Sequence, residues 1–355
     1  MSPTPMHALE DLIVSIGEPD AEVARAVQAH LDRKTKPLGS LGRLEALACR
    51  YCAARGDDSP QPPVKALVVM AADHGVAAEG VSAYPQEVTR QMLLNFASGG
   101  AAINVLARQA QARLIVVDMG VLGGPVPGVR DCRIAQGTAS IVHGPAMSRA
   151  QAIDAIGHGV RIARELAGDG VTLLGVGDMG IGNTTAASAL LAAFAGRTAE
   201  GVVGRGTGID DAGLARKRDA IASALHHAPE ASDALGVLAA LGGFEIAGMA
   251  GLMLSASAVR VPVVVDGFIA SAAALAAVRI APQCRGFLIA SHRSAERAHA
   301  QMLDAVGIDP LFDLDLRLGE GSGAALAMPL VDAAVAILRE MATFESAGVS
   351  ERSDR

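Results

Sequence analysis

The sequence predicts an α/β fold: a Rossmann-like, largely parallel sheet flanked by helices, with a smaller helical domain attached. Three observations carry this. Five short runs are largely apolar: 65–72, 113–117, 171–176, 261–265 and 285–290. Uninterrupted Val, Leu and Ile imply burial on both faces, as in a parallel sheet. Each run ends in a polar or glycine cluster, such as Asp73-His74-Gly75, Asp118-Met119-Gly120, Asp178-Met179-Gly180, Asp266-Gly267 or Ser291-His292-Arg293. Helical segments (86–110, 148–168, 183–195, 211–227 and 233–259) lie between most of them. Such alternation is the doubly wound pattern, and it collects all the polar clusters at the carboxyl edge where ligands bind.

The chain has 355 residues, enough for one large domain with an attachment or for two domains. It is 51% hydrophobic but only 3% aromatic, with no Trp and 40 Gly. The core is therefore expected to be Ala, Val, Leu and Ile at close helix–strand spacing. A formal net charge of -7 argues against general nucleic-acid binding. Mean hydropathy is positive, at +0.35. The most apolar runs nevertheless fall short of the roughly 18 uninterrupted apolar residues of a membrane span. Residues 268–278 are too few, 235–258 contain Glu245, and the C-terminal run contains Asp332. The N-terminus lacks a basic, signal-like start. Cys49 and Cys52 form a C-x-x-C with no second pair or histidine partner nearby, so ordinary thiols are expected. A cytoplasmic protein is the expectation.

Residues 1–60 read as helical, interrupted at 34–42 (KTKPLGSLG), where Pro37 and Gly39 break the pattern and Ser40 can cap the next helix. With a helix over 324–345 they are expected to form the small domain, and 61–323 the large one. Residues 346–355 are a polar tail.

The strongest local motif is GVGDMGIGNTTAAS, beginning at Gly175. It follows a strand and ends in Asn183-Thr184-Thr185 at a helix start. Glycines let backbone approach a ligand, and a helix N-terminus favours an anion. A simple N-cap needs one Ser, Thr or Asn and not three, so phosphate or ribose binding is the reading. The loop 204–217 (GRGTGIDDAGLARK) repeats the theme. Asp210 and Asp211 read equally as N-caps or as ribose and phosphate contacts, and Lys217 as a solvated helix lysine or an electrostatic partner. Tyr84 and Met92 read first as core packing and second as walls of a flat-ring site. A metal site at Asp73, His74, Asp178, Asp266 and His292 is conceivable, but no pair has local ligand spacing, so no metal is expected. A P-loop lysine and a G-x-S-x-G elbow are both absent.

Residues 316–330 (LRLGEGSGAALAMPL) hold one carboxylate, Glu320, between glycines ahead of a helix. A carboxylate there is either a cap or a working base. On residues alone, the chain reads as an α/β enzyme acting on a small phosphorylated, nucleotide-like substrate with a carboxylate base. The rivals are a Rossmann-like enzyme on another such substrate and a non-catalytic nucleotide-binding module.

Taken together, KPLGSLGRLE at 36–45, DHGV at 73–76, YPQEVTRQM at 84–92, GVGDMGIGNTT at 175–185, GGFEIAGMAG at 242–251, VVVDGFIASAAAL at 263–275, SHRSAE at 291–296 and the 316–330 stretch resemble the nicotinate-nucleotide–dimethylbenzimidazole phosphoribosyltransferase family. The resemblance implies transfer of phosphoribose from nicotinate mononucleotide to 5,6-dimethylbenzimidazole, for the lower-ligand nucleotide of cobalamin. It implies a homodimer with no cofactor, and no nucleic-acid or membrane partner. It makes Glu320 the general base and puts Tyr84, Met92, Met179 and Leu318 around the acceptor base. The ribose and phosphate contacts fall on Gly180, Asn183, Thr184, Gly206, Gly208, Ser291 and Gly321, with Asp178 where many members carry Glu.

Overall fold

The computed structural model describes residues 5–206 and 208–350. Six strands form one sheet: β1 (Lys65–Ala72), β2 (Arg113–Gly120), β3 (Arg130–Asp131), β4 (Leu173–Met179), β5 (Val263–Val265) and β6 (Leu288–Ala290), in the order β3-β2-β1-β4-β5-β6. Every neighbouring pair is parallel. The predicted α/β class and parallel sheet are thus observed. From β1 the chain runs outward through β2 and β3, then returns to place β4 on β1's other side. The crevice above β1 and β4 is therefore the topological switch point, where connections diverge and leave room for a ligand. A second, two-stranded sheet pairs β7 (His292–Arg293) with β8 (Phe312–Asp313).

Side-chain alternation divides the core into two layers. Ala66, Val68, Met70 and Ala72 of β1 face one apolar cluster, and Leu67, Val69 and Ala71 the other. On the first face lie α1 (Pro5–Ser15), α6 (Arg149–Gly168), α7 (Asn183–Ala195), α10 (Ala234–Leu241), α11 (Phe244–Ala258), α12 (Phe268–Ile280) and α13 (His299–Val306), with α8 (Ala199–Val202) and α9 (Asp211–Leu225) outside α7. The second face holds α2 (Ala21–Asp32), α3 (Arg43–Arg55), α4 (Val88–Ser98), α5 (Ala102–Gln109) and α14 (Ser322–Glu340), with the short α15 (Phe344–Ala347) after it. Helix α1 packs on α6 and α11, across the sheet from α2, α3 and α14.

Several boundaries differ from expectation, each for a local reason. The 86–110 helix breaks at Gly99-Gly100, because Gly99 closes α4 at φ +83°. The 233–259 helix breaks at Gly242-Gly243, where a Cβ on Gly243 would stand 2.4 Å from the His74 ring. The expected 285–290 strand is extended only over β6, and Pro282–Phe287 forms a 3₁₀ turn. The apolar run 268–278 is helix α12.

Among the described residues, α14 is the one helix long and apolar enough to cross a membrane, and 56% of it is buried inside the protein. Its Asp332 pairs with Lys65. It is a core helix.

Candidate active site

Two backbone approaches build the site at the end of β4. A Cβ on Gly177 would stand 2.1 Å from Gly321 N and 2.5 Å from Glu320 C. Only glycine lets the turn ahead of α14 lie against this strand. The Glu320 amide donates to the Asp178 carbonyl oxygen (3.2 Å), fastening the turn to β4. Glu320 itself holds φ +61°, a left-handed conformation costly outside glycine.

The amides opening α14 already have an acceptor. Gly321 N–H donates to Asp266 Oδ2 (2.9 Å), and Gly323 and Ala324 N–H donate to Asp266 Oδ1 (2.7 and 3.2 Å). Asp266, at the end of β5, is therefore the cap of α14, reached across the sheet edge. Burial raises its carboxyl to about 7 despite these bonds. Two consequences follow. Gly321 has no free amide for a phosphate, contrary to expectation. Glu320 is released from capping: its Oε2 is buried without a hydrogen-bond partner, and burial raises its carboxyl to about 7. Asp178 is raised well above the usual range by burial first, then by the nearby Asp266 and Glu245 charges. Its Oδ2 accepts from Asn183 Nδ2 (2.8 Å), while Oδ1 has no partner.

A small cleft of about 90 Å³ opens over β4. Among its lining residues are Asp178, Met179, Gly180, Asn183, Thr184, Gly206 and Leu318, all anticipated; His292, weighed above only as a metal ligand; and Gly267, Ser294, Glu296 and Arg317, which were not assigned a role. Gly180 is required, since a Cβ there would stand 2.4 Å from Ala72 O. Lys217 is fully buried, not solvated, and its Nζ donates to Thr184 Oγ1 (2.8 Å). Burial lowers its ammonium to about 8, which leaves it mostly charged at neutrality. A Cβ on Gly206 would stand 3.1 Å from Thr184 Oγ1 and 3.4 Å from Lys217 Nζ. The glycine loop and the α7 N-terminus thus meet over one buried cation.

The other expected residues stand apart from this cleft lining. Ser291 is completely buried; its hydroxyl donates to Asp266 O (3.0 Å) and lies 2.9 Å from His292 Nδ1, so it supports the site from beneath. Gly208, at φ +111°, is outside the lining. Met92, half-buried against the α14-side core, and Tyr84, exposed (52%), are also outside it, whereas within the lining Met179 is half-buried against the same core and Leu318 is exposed (54%). Beneath the turn at 180–182, His74 Nε2 lies 2.7 Å from Glu245 Oε1, both buried. Glu245 has a readable signal: one carboxylate inside a long apolar run needs a buried partner. No group of three or more His, Cys, Asp or Glu among the described residues is placed to hold a metal ion.

Comparison with known proteins places this geometry. A family model described as phosphoribosyltransferase matches residues 16–349. A nicotinate-nucleotide–dimethylbenzimidazole phosphoribosyltransferase from Roseiflexus sp. (strain RS-1) is 54% identical over 348 residues, covering 97% of this chain and 99% of that protein. Its counterpart from Geobacter metallireducens is 50% identical over 353 residues, covering 99% and 100%. The crystal structure of CobT from Thermus thermophilus superposes with a TM-score of 0.90 at 50% identity, covering 93% of this chain and all of that one. The chain belongs to the nicotinate-nucleotide–dimethylbenzimidazole phosphoribosyltransferase family and is a pentosyl-transferring enzyme.

Proposed function

We propose that this enzyme transfers the phosphoribosyl group of nicotinate mononucleotide to 5,6-dimethylbenzimidazole, giving α-ribazole 5′-phosphate and nicotinate, with Glu320 as general base. The observation that carries the mechanism is the uncapped, buried Glu320 carboxylate with an unpartnered oxygen. A base with a carboxyl near 7 is matched to neutral pH, partly free yet strong enough to take a proton.

The chemistry balances with one carboxylate. Glu320 removes the azole N–H proton as the ring's other nitrogen attacks C1′ with its in-plane lone pair. The C1′–pyridinium bond breaks, its electron pair returns to the ring nitrogen, and nicotinate leaves without needing an acid. Attack opposite the leaving group converts a β-nucleotide to an α one. Holding both rings across a fixed ribose phosphate supplies much of the rate. Lys217, Thr184 and the Gly206 loop are suited to the phosphate, and Asn183 and Asp178 to the ribose. Met179 and Leu318, with Met92 and Tyr84, are suited to the flat acceptor. The proposed assembly is a homodimer, and the proposed small domain is built on α2, α3 and α14.

Incubating the protein with both substrates and separating the products tests the reaction. Nicotinate and ribazole phosphate are expected in equal amounts. Binding of nicotinate mononucleotide with no nicotinate release would instead indicate a non-catalytic nucleotide-binding module.

A further inference from the structure

His292 lines the cleft, is held on every side, and has no task in the mechanism above. Its ring stacks on Phe312 (centroids 5.9 Å apart, planes at 17°) and meets His299 edge-on at 6.0 Å. Gly323 presses against it so closely that a Cβ there would stand 2.0 Å from Nδ1.

The hydrogen-bond partners settle which nitrogen carries the proton. Ser291 Oγ has one proton and donates it to Asp266 O (3.0 Å). The same oxygen lies 2.9 Å from His292 Nδ1, so there it must accept. Nδ1 therefore holds the ring proton, and the Asp266 carboxylate 3.9 Å away favours the same placement. Burial lowers the imidazolium to about 4, which keeps the ring neutral at physiological pH. Nε2 is left with a lone pair. The Cε1–Nε2 edge lies beside Gly267, another lining residue, where a Cβ would stand 3.6 and 3.8 Å from those two atoms.

The cleft consequently offers both donors and an acceptor. Donors and positive charge come from the α7 N-terminus, Thr184 and Lys217. Nε2 of His292 supplies an acceptor. An acceptor lone pair repels phosphate oxygens and suits a hydroxyl. We propose that His292 binds the donor's ribose, its Nε2 accepting a hydrogen bond from one ribose hydroxyl. This rests on the phosphoribosyl donor proposed above.

The test is a binding cycle read by calorimetry without acceptor. Nicotinate mononucleotide and its 2′-deoxy and 3′-deoxy analogues are titrated into wild type, His292→Phe and His292→Gln, with thermal unfolding as the check on folding. Phe keeps the stack on Phe312 and removes the acceptor; Gln can restore an oxygen near the Nε2 position. Wild type is expected to bind one deoxy analogue about five- to tenfold more weakly. His292→Phe is expected to lose about the same factor for the parent nucleotide and to be nearly indifferent to that deletion, with partial recovery in His292→Gln. If the factors for variant and deletion multiply for both analogues, in Phe and Gln alike, the assignment is overturned. Wild-type nicotinate release with dimethylbenzimidazole, measured alongside, separates the outcomes. Release with multiplying factors sinks only the His292 role, and absence of release sinks the parent reading, while the binding cycle still reads the hydroxyl contact.

Discussion

Glu320 carries two costs that packing does not return: a positive φ and a buried carboxylate. The first is worth on the order of 1 kcal/mol or more. The second has a sign that can be checked against pH. Its folded pKa, about 7, lies above the ordinary 4.5, so folding favours the protonated form. That contribution is fully present below about pH 4.5 and is lost as pH rises through 7. Glu320→Gln is therefore expected to unfold at a higher temperature than wild type at pH 8, by at most about 3 kcal/mol in stability, with the gap closing by pH 4.5. The same variant is expected to lose about 10²- to 10⁴-fold in turnover while staying folded. Near-normal turnover in folded Glu320→Gln would defeat the general-base role. Wild-type kcat is expected to rise with pH through about 7, since only the carboxylate can take the azole proton.

At the scale of elements, the site depends on two contacts between pieces far apart in sequence. Gly177 on β4 lets the turn before α14 touch the strand, and the atoms a Cβ would meet are all backbone. Gly177→Ala is expected to cost about 3 kcal/mol in chemical denaturation or to displace the turn, lowering kcat far more than it raises KM. Asp266 at the end of β5 caps α14 with three backbone bonds. Asp266→Ala is expected to cost about 1–3 kcal/mol and to lower turnover by loosening Glu320. Asp266→Asn, which keeps an acceptor oxygen, is expected to recover part of both. Equal damage from Ala and Asn would mean that the charge matters, not the cap.

Across the whole molecule, the all-parallel sheet brings every strand's carboxyl end to one edge, and the switch between β1 and β4 opens it. Helix α7 on one face carries Asn183 and Thr184, while α14 on the other follows Glu320. Alternation along β4 sends Asp178 toward the α7 side and Met179 toward the α14 side. The proposed homodimer predicts a mass near 72 kDa, twice the 36.0 kDa chain, by sedimentation equilibrium. A single 36.0 kDa species at micromolar concentration would remove it.

The sequence by itself determined the class of fold, the edge where the polar strand ends collect, and Glu320 as the one carboxylate set between glycines ahead of a helix. Those features are local: runs of Val and Leu, a glycine on either side of one acid, and polar residues ending each strand. Only the tertiary structure decided whether Glu320 is a cap or free, because the rival cap, Asp266, arrives from 55 residues away in the chain. It also decided that Lys217 is buried under Thr184, that Ser291 faces inward, and that His292 joins the cleft lining. Hydrogen-bond partners and burial depend on neighbours brought together by packing, and a linear pattern does not contain them.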